Sequence, residues 1–299
     1  MGIKIYDIAS GKFAEEPVCA EGLMRFLYGT VPGRMAVWAM FKRAFFSRAF
    51  GIWADSKISA RGIEKFVLKY GINMDESLRP ISAFKCWNDF FTRELLPGAR
   101  PTAEPGDAEV LSFPCDGRHL LVESVGSRDF FYAKGQRFEL GGFLGDAKLA
   151  ERFDGGPMLI SRLSPLDYHR YCYPVGGQLC ARKRVSGGLC SVSSIALKER
   201  LAILWENKRV LELIDSPVFG MCAFVQIGAT NVGTIVNFGE LGGRAERGAQ
   251  AGLFKFGGSC IVTLFERGTR VRFDENLARM SARGIECYAR SNSFLGRKA

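Results

Sequence analysis

The sequence predicts an α+β protein, with a helical N-terminal layer packed on a β-rich body. Two observations carry that expectation. Before residue 101 apolar residues recur at helical spacing, whereas after Pro101 short β-rich runs alternate with glycine-containing turns. A third observation makes the two parts one unit: no Pro/Ser-rich or charged linker separates them, and no internal repeat is visible.

From Glu21 to Asp55 no acidic residue intervenes, and Arg25, Arg34, Lys42, Arg43 and Arg48 sit among Met, Phe, Trp and Leu. That composition suits surface helices lying on an anionic membrane interface. It equally suits a helical layer packed on the protein's own core, and the two readings are compatible. Ile63, Phe66, Val67 and Tyr70 then mark an amphipathic helix. A Ser82-led segment with Phe84, Trp87, Phe90, Phe91 and Leu95 marks a second, ended by LLPGARP. The runs HLLVESV, FFYAKG, PMLISRL, FVQI, TIVNF, CIVTLF and TRVRF read as strands, with ERGTR as a hairpin connection between the last two. The tail from Glu275 reads as surface.

With 299 residues the chain can bury a sizeable core. Nine cysteines without CxxC or Cys/His spacing suggest neither a disulfide framework nor a zinc site, so no metal is expected. The N-terminus lacks the basic-then-apolar pattern of a signal peptide, and Tyr6 stands where myristoylation wants Ser or Thr. The uncharged stretch from Ser216 to Gly239 is interrupted by Pro217, Gln226, Asn231, Asn237 and four glycines, and reads as buried strands and turns. The net charge of +10 implies an acidic partner: nucleic acid, lipid surface or anionic substrate. No basic run interleaved with stacking aromatics favours nucleic acid.

Gly257-Gly258-Ser259 leads into the apolar strand CIVTLF; alone it reads as a turn followed by a hydroxyl. It has company in Trp87-Asn-Asp-Phe-Phe-Thr-Arg-Glu-Leu-Leu-Pro-Gly-Ala-Arg-Pro101, Phe113-Pro-Cys-Asp-Gly-Arg118 and Arg162-Leu-Ser-Pro-Leu-Asp-Tyr-His-Arg170. Lys134-Gly135, Glu206-Asn-Lys-Arg209 and Gly228-Ala-Thr-Asn-Val-Gly-Thr-Ile235 extend the set. In this order and spacing the motifs resemble the phosphatidylserine decarboxylase family over nearly the whole chain.

The resemblance implies a proenzyme that cuts itself between Gly258 and Ser259, giving a β chain of residues 1–258 and an α chain of 259–299. Ser259 would become a pyruvoyl group, the covalent cofactor, whose ketone forms a Schiff base with the substrate amine. His169 would protonate the carbon that loses carbon dioxide, and Asp116 would be the acidic member of an Asp-His-Ser processing triad. The implied substrate is phosphatidylserine, converted to phosphatidylethanolamine at the cytoplasmic side of the cell membrane by a peripheral protein, and the resemblance suggests a homodimer. The implied division is a membrane-facing helical region, 1–100, and a pyruvoyl decarboxylase body, 101–299. Two other readings stay open: a pyruvoyl decarboxylase of a soluble amino acid, and a processing-defective membrane-binding relative.

The match breaks at three places. The family usually shows a second histidine after Asp-Tyr-His-Arg-x, resembling the base for self-cleavage; here that residue is Cys172. A thiol ionises near 8.5 and cannot donate to Asp116 as an imidazolium does. His169 itself and His119 are the available substitutes, but in a strand His119 points away from Asp116. Gln250 stands where a glutamate is common, and Cys260 follows the serine where Thr or Ser is usual.

Overall fold

The computed structural model describes residues 3–17, 21–41, 44–126, 138–229, 234–255, 257 and 259–299, with side chains described outside 37–49. The expected strand FFYAKG with Lys134-Gly135, most of the 228–235 motif (Thr230 to Gly233) and Gly258 lie outside the described residues.

A ten-stranded sheet forms the body. Its order is Arg244–Ala245, Gly177–Val185, Arg209–Ser216, Gly220–Gly228, Ser259–Phe265, Met158–Leu163, Gly117–Val122, Cys287–Ala289, Ile3–Asp7 and Lys12–Glu16. Neighbouring strands are antiparallel except Ile3–Asp7, which runs parallel to Cys287–Ala289. The strands Ile3–Asp7 and Lys12–Glu16 extend the sheet of the body, and the first described helix begins at Glu21.

Ser259–Phe265 sits near the middle and is buried along its whole length. Its side chains alternate between two cores, as the two-residue strand period requires. Ile261 and Phe265 join Phe113, Leu163, Tyr171, Phe224 and Phe254 on one face. Cys260, Val262 and Leu264 join Ile160, Val225, Leu197 and Leu204 on the other. Each such apolar side chain, withdrawn from water, contributes about 1.5–3 kcal/mol, so the register that places Ser259 opposite Leu163 and Gly228 is firmly specified.

Two smaller sheets flank this one: Ile235–Asn237, Gln250–Phe254 and Arg170–Cys172; and Val271–Phe273, Phe294–Lys298 and Val110–Ser112. The hairpin expected at ERGTR does not form. Val271–Phe273 pairs with Phe294–Lys298, so Glu266–Arg270 carries the chain from the large sheet to a small one.

The helices Glu21–Gly29, Val31–Phe41 and Ala44–Asp55 form the basic, apolar layer. The layer packs on the body along one side and leaves apolar side chains exposed on another. Tyr28 is buried, accepts a hydrogen bond from the Ser191 amide, and packs with Met24 and Leu27 on the body. Leu23, Phe26, Val31, Met35, Ile52 and Trp53 remain exposed, Ile52 at 75%. The helix Ile63–Tyr70 forms as expected and ends at Gly71, whose φ of 61° suits a glycine C-cap. The second expected amphipathic helix is shorter: a 3-10 turn Ile81–Ala83, then a helix of only Trp87–Phe91, with Leu95 bridged to Ser77. Phe84, Trp87 and Phe90 bury themselves with Ile63 and Val67 in a separate cluster, which explains the apolar pattern without a long helix. Among the described residues no helix is long and apolar enough to cross a membrane.

Candidate active site

Ser259 opens the central strand completely buried, and its Oγ has no hydrogen-bond partner among the described residues. Leaving a hydroxyl dry and unpaired costs about 1–3 kcal/mol. Two residues earlier, Gly257 has φ 139°, a conformation that side chains with a Cβ rarely adopt. The chain thus bends sharply at this glycine, just before it enters the strand.

His169 precedes the strand Arg170–Cys172, whose partner Gln250–Phe254 leads directly into Gly257. The Phe254 amide donates to the His169 carbonyl at 2.9 Å. The imidazole is buried, with its centroid 3.8 Å from that of Phe91. Its Nδ1 lies 2.9 Å from the Asp167 carbonyl oxygen. A carbonyl only accepts, so Nδ1 carries the proton and the neutral ring turns a lone pair outward at Nε2, which has no partner. Burial pulls the pKa down to about 3 and Arg93 pulls the same way, while the Asp167 and Gly257 backbones oppose them. The ring is therefore neutral at neutral pH and lies close to the Gly257 backbone.

Asp116 is buried but engaged elsewhere. Its carboxylate takes hydrogen bonds from Arg100 Nε at 2.8 Å, Arg100 Nη2 at 2.6 Å and the Ser291 amide at 2.8 Å. Arg100 also binds Glu76 at 2.8 Å. Although burial lowers its affinity for a proton, these carboxylates hold Arg100 above the usual arginine range. Neither histidine is among the hydrogen-bond partners of Asp116. Gly117, a turn glycine on the plain reading of Asp-Gly, lies within a strand: a Cβ there would stand 2.4 Å from the Arg162 carbonyl oxygen.

Cys172 is buried opposite Gln250 with its amide bonded to the Pro114 carbonyl at 2.7 Å. Burial pushes its thiol up to about 12 and the charge of Asp116 adds to this, outweighing the Asn292 side chain that favours the thiolate. At neutral pH it is a thiol and not a proton acceptor. His119 is buried with Nδ1 2.8 Å from Ser161 Oγ and its ring against Phe113, away from Asp116. The exposed Gln250 accepts from Arg170 Nη1 at 2.9 Å. Cys260 is core.

Next to His169 lies an ionic network that joins three motif residues, Arg118, Arg162 and Asp167, to two carboxylates outside the motifs. Arg118 binds Asp167 and Glu16, while Arg162 binds Glu16 and Glu286, and all five residues are buried. Asp167, burdened by burial and by neighbouring carboxylates, is raised to about 6 despite Arg118 and the Ser164 amide. Glu206-Asn-Lys-Arg209 is architectural. Asn207 donates to the carbonyls of Cys190 and Gly228, the latter opposite Ser259, and Arg209 binds the Phe143 and Gly142 carbonyls.

This end of the sheet thus holds a buried serine hydroxyl that follows a glycine of positive φ, with a buried neutral imidazole close to the same glycine. The family model described as phosphatidylserine decarboxylase matches residues 87–283. The chain is 39% identical to a phosphatidylserine decarboxylase proenzyme of Chlamydia muridarum over 97% of its own length and 95% of the relative's. It is 35% identical to a proenzyme of that name from Fusobacterium nucleatum, covering 95% and 94%, and 33% identical to one from Ruminiclostridium cellulolyticum, covering 98% and 97%. The chain belongs to the phosphatidylserine decarboxylase family.

Proposed function

We propose that this chain is a self-cleaving proenzyme whose mature form decarboxylates phosphatidylserine to phosphatidylethanolamine, a carboxy-lyase reaction. The observation that carries the reading is the buried Ser259 hydroxyl, unpartnered among the described residues, behind a glycine turn that has a neutral imidazole close to it.

The serine fits the role of pyruvoyl precursor, since its orphaned Oγ has nothing structural to do. In processing, Oγ attacks the Gly258 carbonyl and the amide becomes an ester. β-Elimination then frees the 1–258 chain as a carboxylate and leaves a dehydroalanine at residue 259, which tautomerises to an imine and is hydrolysed by water to the pyruvoyl group with release of ammonia. The base that takes the hydroxyl proton is His169 through Nε2, because Cys172 holds its own proton. An imidazole titrating near 3 is a weak base, so maturation is slow. The pyruvoyl carbonyl at the new N-terminus supplies the electron sink for decarboxylation. His169 then delivers a proton to the carbon that has lost carbon dioxide, with Phe91 fixing its ring. Asp116, locked to Arg100, keeps the Cys172 segment in place and sets the negative potential around it.

The exposed apolar side chains of the helices between residues 21 and 55 lie on the anionic membrane surface, which makes the protein peripheral, on the cytoplasmic side. The division into a membrane-facing region, 1–100, and a catalytic body, 101–299, and a homodimeric state belong to the same proposal.

Intact mass and denaturing gels of purified protein test it, with Ser259→Ala and Cys172→His alongside. Wild type separating into two chains at residue 259, with a pyruvoyl-terminated smaller chain, supports the reading; Ser259→Ala stays whole. Cys172→His cleaves faster. A wild type that never cleaves overturns the enzyme reading and leaves a membrane-binding relative.

A further inference from the structure

Arg93 is almost completely buried, 6% exposed, at the end of the helix that stacks Phe91 on His169. Its guanidinium lies over the Phe90 ring at 4.9 Å. Its Nε has no partner, and Nη1 makes one long bond, 3.4 Å, to the Phe90 carbonyl. It forms no ion pair among the described residues. The carboxylates close enough to act on it, Asp116 and Asp167, already take their bonds from Arg100 and Arg118. A buried guanidinium without a counter-charge is among the most costly groups a fold can carry. Of the other buried arginines described, Arg118 and Arg162 are bound to carboxylates and Arg209 donates to several backbone carbonyls, so each is better satisfied than Arg93.

Building on the decarboxylase reading, we propose that Arg93 is the substrate-binding residue that receives the phosphodiester of the lipid headgroup. It lies within electrostatic range of His169 and Tyr168, two residues beyond Phe91, whose ring stacks on the imidazole. The substrate offers two anions, and the chemistry selects between them. The carboxylate loses its charge as carbon dioxide forms, so a cation bound to it would stabilise the ground state over the transition state and slow the reaction. The phosphodiester keeps its charge from start to finish. A guanidinium fork on it holds the headgroup equally in both states, which lowers KM and leaves kcat alone.

The test uses processed enzyme carrying Arg93→Met or Arg93→Lys. KM and kcat are measured on phosphatidylserine in mixed micelles. Calorimetry, independent of turnover, measures binding of glycerophosphoethanolamine, which has the phosphodiester but no carboxylate, and of O-methylserine, which has the reverse. The expected result is that Arg93→Met raises KM and weakens glycerophosphoethanolamine binding by the same factor, roughly ten- to hundredfold. Arg93→Lys should recover part of it, with kcat within about threefold of wild type and O-methylserine binding unchanged. Loss confined to O-methylserine moves Arg93 to the carboxylate and overturns the proposal. So does a fall in kcat with KM unchanged, or a lowered melting temperature without loss of affinity. Wild type that binds glycerophosphoethanolamine through Arg93 yet leaves phosphatidylserine untouched would sink the decarboxylase reading and keep the anion site.

Discussion

The serine end of the central strand and the arginine network next to it are equally buried and equally polar, yet they are finished to different degrees. In the network, Arg118, Arg162 and Arg100 each meet carboxylates, and those carboxylates collect further bonds from backbone amides or neighbouring arginines. At the serine end, among the described residues, Ser259 Oγ, His169 Nε2 and Arg93 Nε lack partners and no ion pair is formed, whereas Arg118 Nε and His119 Nε2, also without a hydrogen bond, sit beside residues that are ion-paired. Folding normally removes such orphans because each weakens a marginal stability. On the proposed reading the three at the serine end serve the chemistry, while the ion-paired network is scaffolding. Substitutions should therefore divide by readout: activity at the serine end, stability in the network.

The sharpest break comes from His169. In His169→Gln, decarboxylation by whatever protein has cleaved should fall by about 10²–10⁴-fold, and maturation on denaturing gels should stall. The melting temperature should hold or rise, since a buried orphan nitrogen is removed. A variant that melts early and turns over normally would reverse the assignment of the two regions. Asp116→Ala is the counterpart in the network. Breaking a buried pair by deleting one partner costs about 3–5 kcal/mol, and the Arg100 side chain is only 12% exposed. Denaturant unfolding should register that loss, and Asp116→Asn should recover part of it. Full stability in Asp116→Ala would show that its three hydrogen bonds are incidental.

Acid should separate the regions again. Unfolded, each histidine takes up a proton near 6.5; folded, His119 and His169 resist until about 3. Between those values the unfolded chain binds more protons, so stability falls as the pH drops. Asp167 opposes this: its folded pKa of about 6 lies above the ordinary 3.8, so its contribution grows as the pH falls through that window. A tenfold change in proton affinity on folding is worth about 1.4 kcal/mol, and two histidines, each displaced further than Asp167, outweigh the one aspartate. Thermal melts from pH 7 to 4 should show declining stability, with the decline nearly abolished in His119→Gln, where the one remaining histidine is almost balanced by Asp167. A flat profile in the wild type would mean that the imidazoles are open to water.

Much of this arrangement is legible in the chain. The alternation of CIVTLF places Ser259 at the start of a buried strand, and the motifs single out His169, Asp116 and Cys172 because resemblance carries residue types in order. What they do not convey is pairing. Asp116 is hydrogen-bonded to Arg100, a residue of the 87–101 motif, and this contact across sixteen residues is set by how that segment folds back. The five-residue helix Trp87–Phe91 has the pattern of a longer one because its aromatics satisfy the helical period while filling a cluster. ERGTR has the composition of a hairpin without forming one, because turn chemistry is local and strand partnership is not. Arg93 leaves no trace in the sequence for the same reason: nothing in its neighbours shows that a guanidinium will be buried without a counter-ion.

Gln250 offers the smallest effect and the finest test of the distinction. It departs from the family's usual glutamate, which invites a role in substrate contact, but it lies outside the buried space. Its Oε1 accepts from Arg170, and Arg170 already pairs with Glu94 at 3.0 Å and donates to the Thr92 carbonyl. In Gln250→Glu a carboxylate would replace an amide that already fills the same position, and an exposed ion pair adds only about 0–1 kcal/mol. The melting temperature should shift by no more than about 3 °C, and decarboxylation should change by less than about threefold, under 1 kcal/mol in the barrier. Were activity to climb tenfold or more, this edge of the Gln250–Phe254 strand would belong to the serine end after all, and the boundary between chemistry and scaffold would have to be moved outward to include Arg170.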